Sequence, residues 1–371
     1  MKILYIANIR LPTEKAHGLQ IMKTCEAFAA TGNELELAVP TRHNALREDP
    51  FSYYRVRQAF HLTSLRVPDF VSFGKVGFVA SLLIFSERAR VLRSFRTADI
   101  IYSRDALVLL QYVLLGRRFV FEAHGKPTLA ARIVAKRAYR VVVISKALGS
   151  AYREVGVPHE NIIIAPDAVD AHMFDDVPLR DEARVLLGFA PDTKIVVYTG
   201  HLYARKGAET LAQAAALMPK AQFFFVGGTA DDVARFRAQW GSQSNIHIVG
   251  HVPPIQVPRY LRAADVLVIP NSGKDQDARE FTSPMKLFEY MASGTPIVAS
   301  DVPAIREVLG GQDATFFTPD DAAALAASIT SAISHKQDAQ QKARSAQQKV
   351  SGYTWGKRAS SILEAMNATL P

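Results

Sequence analysis

Residues 194–215 read KIVVYTGHLYARKGAETLAQAA. An apolar, β-branched run ends at Gly200, a polar loop carries Arg205, Lys206 and Gly207, and a helix-forming segment follows. Such a strand–loop–helix is how a doubly wound α/β unit begins. Here it begins past the midpoint of a chain of 371 residues, so the chain winds twice. The length agrees, because a single hydrophobic core rarely serves so many residues.

Working outward, short apolar strands alternate with longer helical patterns on both sides of this restart. Before it come KILYIAN, ELELAVP, LTSLRV, DIIYSR, RFVFEAHG, RVVVIS and NIIIAP; after it come AQFFFVGG, NIHIVGH, DVLVIPNS and TPIVASD. Continuous apolar strands between helices predict parallel sheets covered on both faces. The acidic, Pro-bearing stretch around 167–194 is the seam. The expected layout is a Rossmann-like domain over 1–175, a linker over 176–194, a second Rossmann-like domain over 195–350, and a C-terminal helix over 351–371 packed back on the body. In such sheets ligands sit at the carboxyl ends of strands, so the site is expected in the cleft where two such edges face.

Bulk properties narrow the partners. The formal charge is +9, and the excess of Lys and Arg falls mainly between Arg42 and Arg153. A basic surface suits anionic lipid or phosphorylated substrates. Nucleic acid is not expected, since no zinc-finger spacing, RNP-like motif or tandem basic helix appears. The one cysteine, Cys25, excludes a disulfide within the chain and reads as a small buried hydrophobe. MKILYIAN reads as a first strand rather than a signal-peptide core, and no apolar run is long enough to cross a bilayer. The expected location is cytoplasmic, or peripheral on the inner face of a membrane. The segment FVSFGKVGFVASLLIFSERARVLRSF supplies a candidate membrane face, with Phe73, Val76, Phe78, Leu82, Leu83 and Phe85 preceding Arg88, Arg90 and Arg93. A core helix with a basic end is the plainer reading of the same stretch.

Two loops of the second half carry the chemistry. Arg205 and Lys206 stand before a helix N-terminus, where free amides favour an anion, phosphate above all. In EFTSPMKLFEYMASGTPIVASD, residues 280–301, Ser283 is the expected N-cap and Pro284 the first helical residue. Lys286 lies close to that N-terminus, where a cation is locally unfavourable unless an anion arrives. Glu289 follows three residues later on the same face and can accept both hydroxyls of a ribose diol. Phosphate and then diol along one helical turn suit a nucleotide diphosphate. The alternative is an ion pair between Lys286 and Glu289. In the first half, Gly18 permits close backbone approach near a helix start, and His124 ends the strand RFVFEAHG. No metal-ligand cluster is present in the sequence, so no metal or other cofactor is expected.

With these residues in view, the chain resembles the family-four retaining glycosyltransferases of GT-B architecture, two Rossmann-like domains facing across a cleft. The blocks that carry the resemblance are KILYIAN with His17-Gly18, VFEAHG, VVVISKAL, IIIAPDAVDAHMF, VVYTGHLYARKGAETL, NIHIVGHV, ADVLVIPNS and SPMKLFEYMASGTPIVASDVPAIREVL. It implies a nucleotide-sugar donor in the second domain and a saccharide or lipid-linked acceptor in the first. Arg205 and Lys206 would be the phosphate-binding pair, with Gly200 at the start of their loop. Glu289 would hold the ribose, and the backbone at Thr282 and Ser283 would cover the diphosphate and sugar. Gly18 would approach the diphosphate, and His124 the transferred sugar. Four positions depart from the family: Phe281 replaces a glutamate, leaving Glu280 as the nearest carboxylate; His201 replaces an arginine; and Asp167-Ala168 replaces Asn-Gly. A nucleotide-sugar epimerase of the same architecture and a non-catalytic nucleotide-sugar sensor are the two other readings.

Overall fold

A computed structural model describes residues 1–367. They form two compact units, one from Met1–Pro166 together with the C-terminal segment from Trp355, the other Asp167–Thr354. The first unit contains β1 (Lys2–Ile6), β2 (Glu34–Pro40), β3 (His61–Leu65), β4 (Ile100–Ser103), β5 (Phe119–Ala123), β6 (Arg140–Val143) and β7 (Ile162–Ile164). They join in one sheet, in the order β3-β2-β1-β4-β5-β6-β7, every pair parallel. The second unit contains β8 (Lys194–Thr199), β9 (Ala221–Val226), β10 (Ile246–Gly250), β11 (Val266–Ile269), β12 (Ile297–Ser300) and β13 (Thr315–Phe317). Their order is β10-β9-β8-β11-β12-β13, again all parallel. In both sheets the winding reverses beside the first strand, between β1 and β4 and between β8 and β11. That reversal opens the crevice in which open α/β sheets bind ligands.

The strand alternation predicted from sequence explains the layers. Ile195 and Val197 of β8 face a core with Leu287 and Met291, while Val196 and Tyr198 face the opposite core with Leu211 and Phe225. Helices cover both faces, so β8, β11 and β12 are apolar almost throughout. The short strand β13 was not anticipated; three residues, TFF, carry too little pattern.

The stretch 176–194, expected as linker, contains the helix Arg180–Leu187 of the second unit. Arg184 is buried there, donating to the Ala263 carbonyl at 2.9 Å and to Asp265 Oδ2 at 2.8 Å. The C-terminal helix Trp355–Asn367 packs on the helix Ala16–Ala30 within the first unit, burying Trp355, Ile362, Leu363 and Met366. Its last carbonyls, which lack helical partners, accept from Arg140 Nε (Ala365, 2.9 Å) and Tyr139 Oη (Met366, 2.8 Å). Residues 368–371, the end of the expected C-terminal helix segment, lie outside the described residues.

The helix Gly74–Arg90 corrects the expected membrane stripe. Leu82 and Phe85 are core residues, whereas Phe73 and Val76 are 75% and 82% exposed and Phe78, Val79 and Leu83 are exposed as well. The buried side is lined partly by Gly77, Ser81 and Ser86, so apolarity alone picks the wrong face. Among the described residues no helix is long and apolar enough to cross a membrane.

Candidate functional site

At the carboxyl edge of the second sheet the chain must turn tightly, and glycines permit it. Gly200, after β8, has φ +121°, and a Cβ on Gly227 (φ +116°) would fall 2.8 Å from the Gly200 carbonyl oxygen. The loop then makes a 3-10 turn over Ala204–Lys206 that ends at Gly207, φ +75°. A Cβ on Gly207 would stand 1.6 Å from the Pro270 carbonyl oxygen, so this loop is seated directly on the end of β11. Gly207→Ala is therefore expected to destabilise the second unit by more than about 3 kcal/mol, through left-handed strain plus overlap with backbone. Urea unfolding followed by far-UV circular dichroism checks this.

Seating the loop sorts its two cations. Arg205 is exposed, its guanidinium 5.9 Å from the Tyr203 ring centre. Lys206 is half-buried; its amide donates to the Tyr203 carbonyl at 2.9 Å, and its ammonium makes no hydrogen bond or ion pair among the described residues. Burial and the Arg205 charge push its ammonium down to about 8, against the pull of Asp275 and Asp167. His201, where the resemblance expects arginine, bonds Asp232 Oδ2 at 3.2 Å and stacks on Tyr203 with ring centres 4.8 Å apart. It thus braces the aromatic ring under Arg205.

The helix Met285–Ser293 starts one residue later than expected. Pro284 occupies the N-cap position, and no side chain caps the helix. Ser283 is buried, and its hydroxyl instead accepts the Asp167 amide at 2.9 Å. The amides of the first turn are thus left without a side-chain cap. Lys286 is buried in this turn; its Nζ has no hydrogen-bond partner and sits 3.9 Å from the Tyr198 ring centre. It also lies about 4.0 Å from where a Gly200 Cβ would be. Burial, and then the charge of Lys206, push its ammonium well below the usual lysine range, against the pull of Glu289. Burial raises the Glu289 carboxyl to about 7, with Lys286 opposing. The Lys286–Glu289 ion pair that the spacing allows is not formed: no hydrogen bond reaches Lys286 Nζ.

Asn271 completes this cluster and escaped the sequence reading. It is fully buried after β11, and neither its amide nitrogen nor its oxygen has a partner. Its neighbours fix it beside the basic loop: Pro270 backs Gly207, and the Ser272 amide donates to the Arg205 carbonyl at 3.2 Å. Leaving a buried polar group unpaired costs about 1–3 kcal/mol, and such groups are few in native proteins. Lys286 and Asn271 therefore point to an anionic, hydrogen-bonding ligand at this edge. Thr282 is half-buried in the loop before the helix. Glu280 is not turned to such use in the observed pose: it ends the helix Gln276–Glu280 and accepts from Arg279 Nη2 at 2.6 Å and Gln276 Nε2 at 3.0 Å.

In the first unit His124 and Gly18 are set by different contacts. His124 Nε2 lies 2.7 Å from Oε1 of Glu122, which is fully buried on β5. Gly18 lies in the first turn of Ala16–Ala30, where a Cβ would meet Tyr54 Oη at 2.2 Å. That hydroxyl accepts the Thr13 amide at 2.7 Å and donates to the Thr13 carbonyl at 2.8 Å. The close approach at Gly18 is thus made by Tyr54. Among the described residues no group of three or more His, Cys, Asp or Glu is arranged to hold a metal ion.

Residues 193–335, which include every second-unit residue just named except Asp167, match the profile described as "Glycosyl transferases group 1". The chain is 26% identical over 225 residues to the putative teichuronic acid biosynthesis glycosyltransferase of Bacillus subtilis, covering 57% of this chain and 54% of that one. It is 30% identical over 197 residues to the phosphatidyl-myo-inositol mannosyltransferase of Mycolicibacterium smegmatis, covering 51% and 47%. The chain thus spans about half the length of the curated relatives it matches. Among solved structures, Anabaena HepE in complex with UDP and glucose superposes with a TM-score of 0.79 at 17% identity, covering 100% of both chains. Sucrose-phosphate synthase of Thermosynechococcus elongatus superposes with a TM-score of 0.79 at 18% identity, covering 98% of both. The fold is GT-B, as the sequence predicts.

Proposed function

We propose that this protein is a retaining hexosyltransferase, moving a sugar from a nucleotide diphosphate to a saccharide or lipid-linked acceptor in surface polysaccharide or glycolipid assembly. The observation that carries this reading is a pair of lysines, Lys206 and Lys286, whose ammonium groups have no hydrogen-bond or ion-pair partner among the described residues, with Glu289 one turn along the Met285–Ser293 helix. The relatives' names, a teichuronic acid glycosyltransferase and a phosphatidylinositol mannosyltransferase, support the acceptor class.

In this reading the anomeric C–O bond to the diphosphate breaks as the acceptor oxygen bonds the same carbon from the same face. The acceptor proton passes to the departing phosphate oxygen. Arg205, Lys206, Lys286 and the uncapped amides of the Met285–Ser293 helix stabilise the charge that develops on the diphosphate. Glu289 accepts the ribose hydroxyls, and His124 meets the transferred sugar. Because lysines supply the countercharge, turnover is expected to persist in EDTA; loss that Mg²⁺ restores would contradict this assignment.

The titrating groups set a pH window. Diol binding wants Glu289 as carboxylate, so donor kcat/KM should rise through about 7. Phosphate binding wants Lys206 as ammonium, so it should fall above about 8. Glu289→Gln should remove the acidic limb and leave the basic one. A flat wild-type profile from pH 6 to 9 would contradict both roles.

The exposed Phe73, Val76, Val79 and Leu83, followed in sequence by the exposed Arg88 and Arg93, support docking on anionic lipid. Flotation with phosphatidylglycerol vesicles, but not phosphatidylcholine vesicles, should carry the protein, and Phe73→Ser/Val76→Ser should abolish it. The function itself is tested by incubating the protein with UDP-, GDP-, ADP- and dTDP-sugars, with and without a membrane-lipid extract. One donor should yield free nucleotide, faster with the extract, and an α-linked donor should give an α-linked product by NMR. Conversion of a donor into an epimeric nucleotide sugar, with no acceptor and no free nucleotide, would favour an epimerase; binding without turnover would favour a sensor.

A further inference from the structure

Unit one contains a buried charge network that the proposed chemistry does not by itself require. The Glu122 carboxylate is completely enclosed. Its Oε1 accepts from Gln20 Nε2, His124 Nε2 and Arg358 Nη2, each at 2.7 Å, and its Oε2 accepts from Tyr102 Oη at 2.6 Å. Gln20 is held in turn by Arg104, whose Nη1 donates to Gln20 Oε1 at 2.6 Å. Arg358 comes from the C-terminal helix, 236 residues further along, and its Nε donates to the Pro166 carbonyl at 3.0 Å.

We propose that Arg358 and Glu122 are positioning residues for His124, so that docking of the C-terminal helix fixes the orientation and proton placement of that imidazole. The reasoning is electrostatic. Burial pushes the Glu122 carboxyl upward, but the Arg358 charge, the hydrogen bond and charge of His124, and the Arg104 charge outweigh this and hold it well below the usual carboxylate range. A carboxylate only accepts, so an ionised Glu122 compels His124 Nε2 to carry its proton toward it. In the neutral ring Nδ1 is then the acceptor. Without Arg358, the buried carboxyl loses its main countercharge and shifts upward, toward the protonated form. A neutral carboxylic acid can donate as well as accept, and the His124 tautomer is no longer dictated. The final helix is thereby coupled to a residue on β5 through one carboxylate, within a single unit of the fold.

This inference rests on the reading that His124 meets the transferred sugar only for its effect on turnover. The test therefore uses two readouts in the full-length protein. Imidazole ¹⁵N NMR of histidine-labelled protein reads the His124 tautomer and hydrogen bond directly, with His124→Ala assigning the signal. Steady-state kinetics on the identified donor reads kcat and KM separately. In Arg358→Met the His124 Nε2–H signal should lose its fixed, hydrogen-bonded position, kcat should fall by about 10²-fold through misplacement, and donor KM should hold. Arg358→Lys, which keeps the charge, should restore much of both. Glu122→Gln, isosteric and uncharged, should disturb the same signal and serves if Arg358→Met does not fold. An unchanged His124 signal in folded Arg358→Met and Glu122→Gln overturns the proposal. A shifted signal together with full turnover in His124→Ala would uphold the positioning and remove His124 from the chemistry.

Discussion

Lys286→Met is expected to raise the thermal midpoint of the protein while cutting donor turnover by roughly 10²–10³-fold, the cost of removing one preorganised charge donor from a leaving-group site. The two effects come from one fact. Lys286 Nζ is buried without a hydrogen-bond partner, over the Tyr198 ring, at the start of a helix whose dipole opposes it. Methionine keeps the volume and the contact with the ring and removes the desolvated ammonium. The folded protein therefore gains what the site loses. The sign extends to pH: a lysine whose folded pKa lies below its unfolded one costs stability while charged, so wild-type stability should rise with pH toward the unfolded lysine value. Lys286→Met should shed its share of that rise. Thermal melts and nucleotide release on the same preparations check both arms; a lowered midpoint with unchanged turnover would mean that Lys286 serves the fold.

Glu122→Ala is expected to cost about 3–5 kcal/mol, the penalty of removing one partner from a buried charge pair. The loss is large because four donors converge on this carboxylate: Gln20, Tyr102, His124 and Arg358. Each would be left buried or half-buried without its acceptor. Arg358 would lose its buried carboxylate partner while its Nε still donates to the Pro166 carbonyl. Since the network lies within the first unit, its unfolding transition should move to lower denaturant while that of the second unit stays. Two transitions, if they separate, forbid a single free energy for the chain. Tryptophan fluorescence assigns them, because Trp355 belongs to the first unit and Trp240 to the second. A single unshifted transition would contradict this view of Glu122.

The fold was legible because the strands other than β13 announce themselves by short apolar runs between helical patterns, and both units repeat that alternation. The Arg205–Lys206 loop and the Lys286–Glu289 pair were legible for a related reason, since they sit at strand and helix ends where the local pattern fixes position. What escaped was tertiary. Ser283 satisfies every local rule for an N-cap, yet its hydroxyl is taken by the amide of Asp167, 116 residues away. The buried side of Gly74–Arg90 carries Gly77, whose Cβ would strike the Phe70 carbonyl oxygen at 1.8 Å, so close packing rather than apolarity selects that face. Asn271 looked like an ordinary loop residue because nothing in PNSG says that the amide will be enclosed. Arg358 and Glu122 lie too far apart in sequence for any spacing rule to join them.

The most direct measurement is a crystal structure of the protein with a nucleoside diphosphate bound. The phosphates should lie within hydrogen-bond distance of Lys206 Nζ and Lys286 Nζ at the first turn of Met285–Ser293, with the ribose hydroxyls on Glu289. A diphosphate bound elsewhere, or a bound state in which Lys286 and Glu289 close on each other as an ion pair, would contradict the assignment of this edge as the donor site.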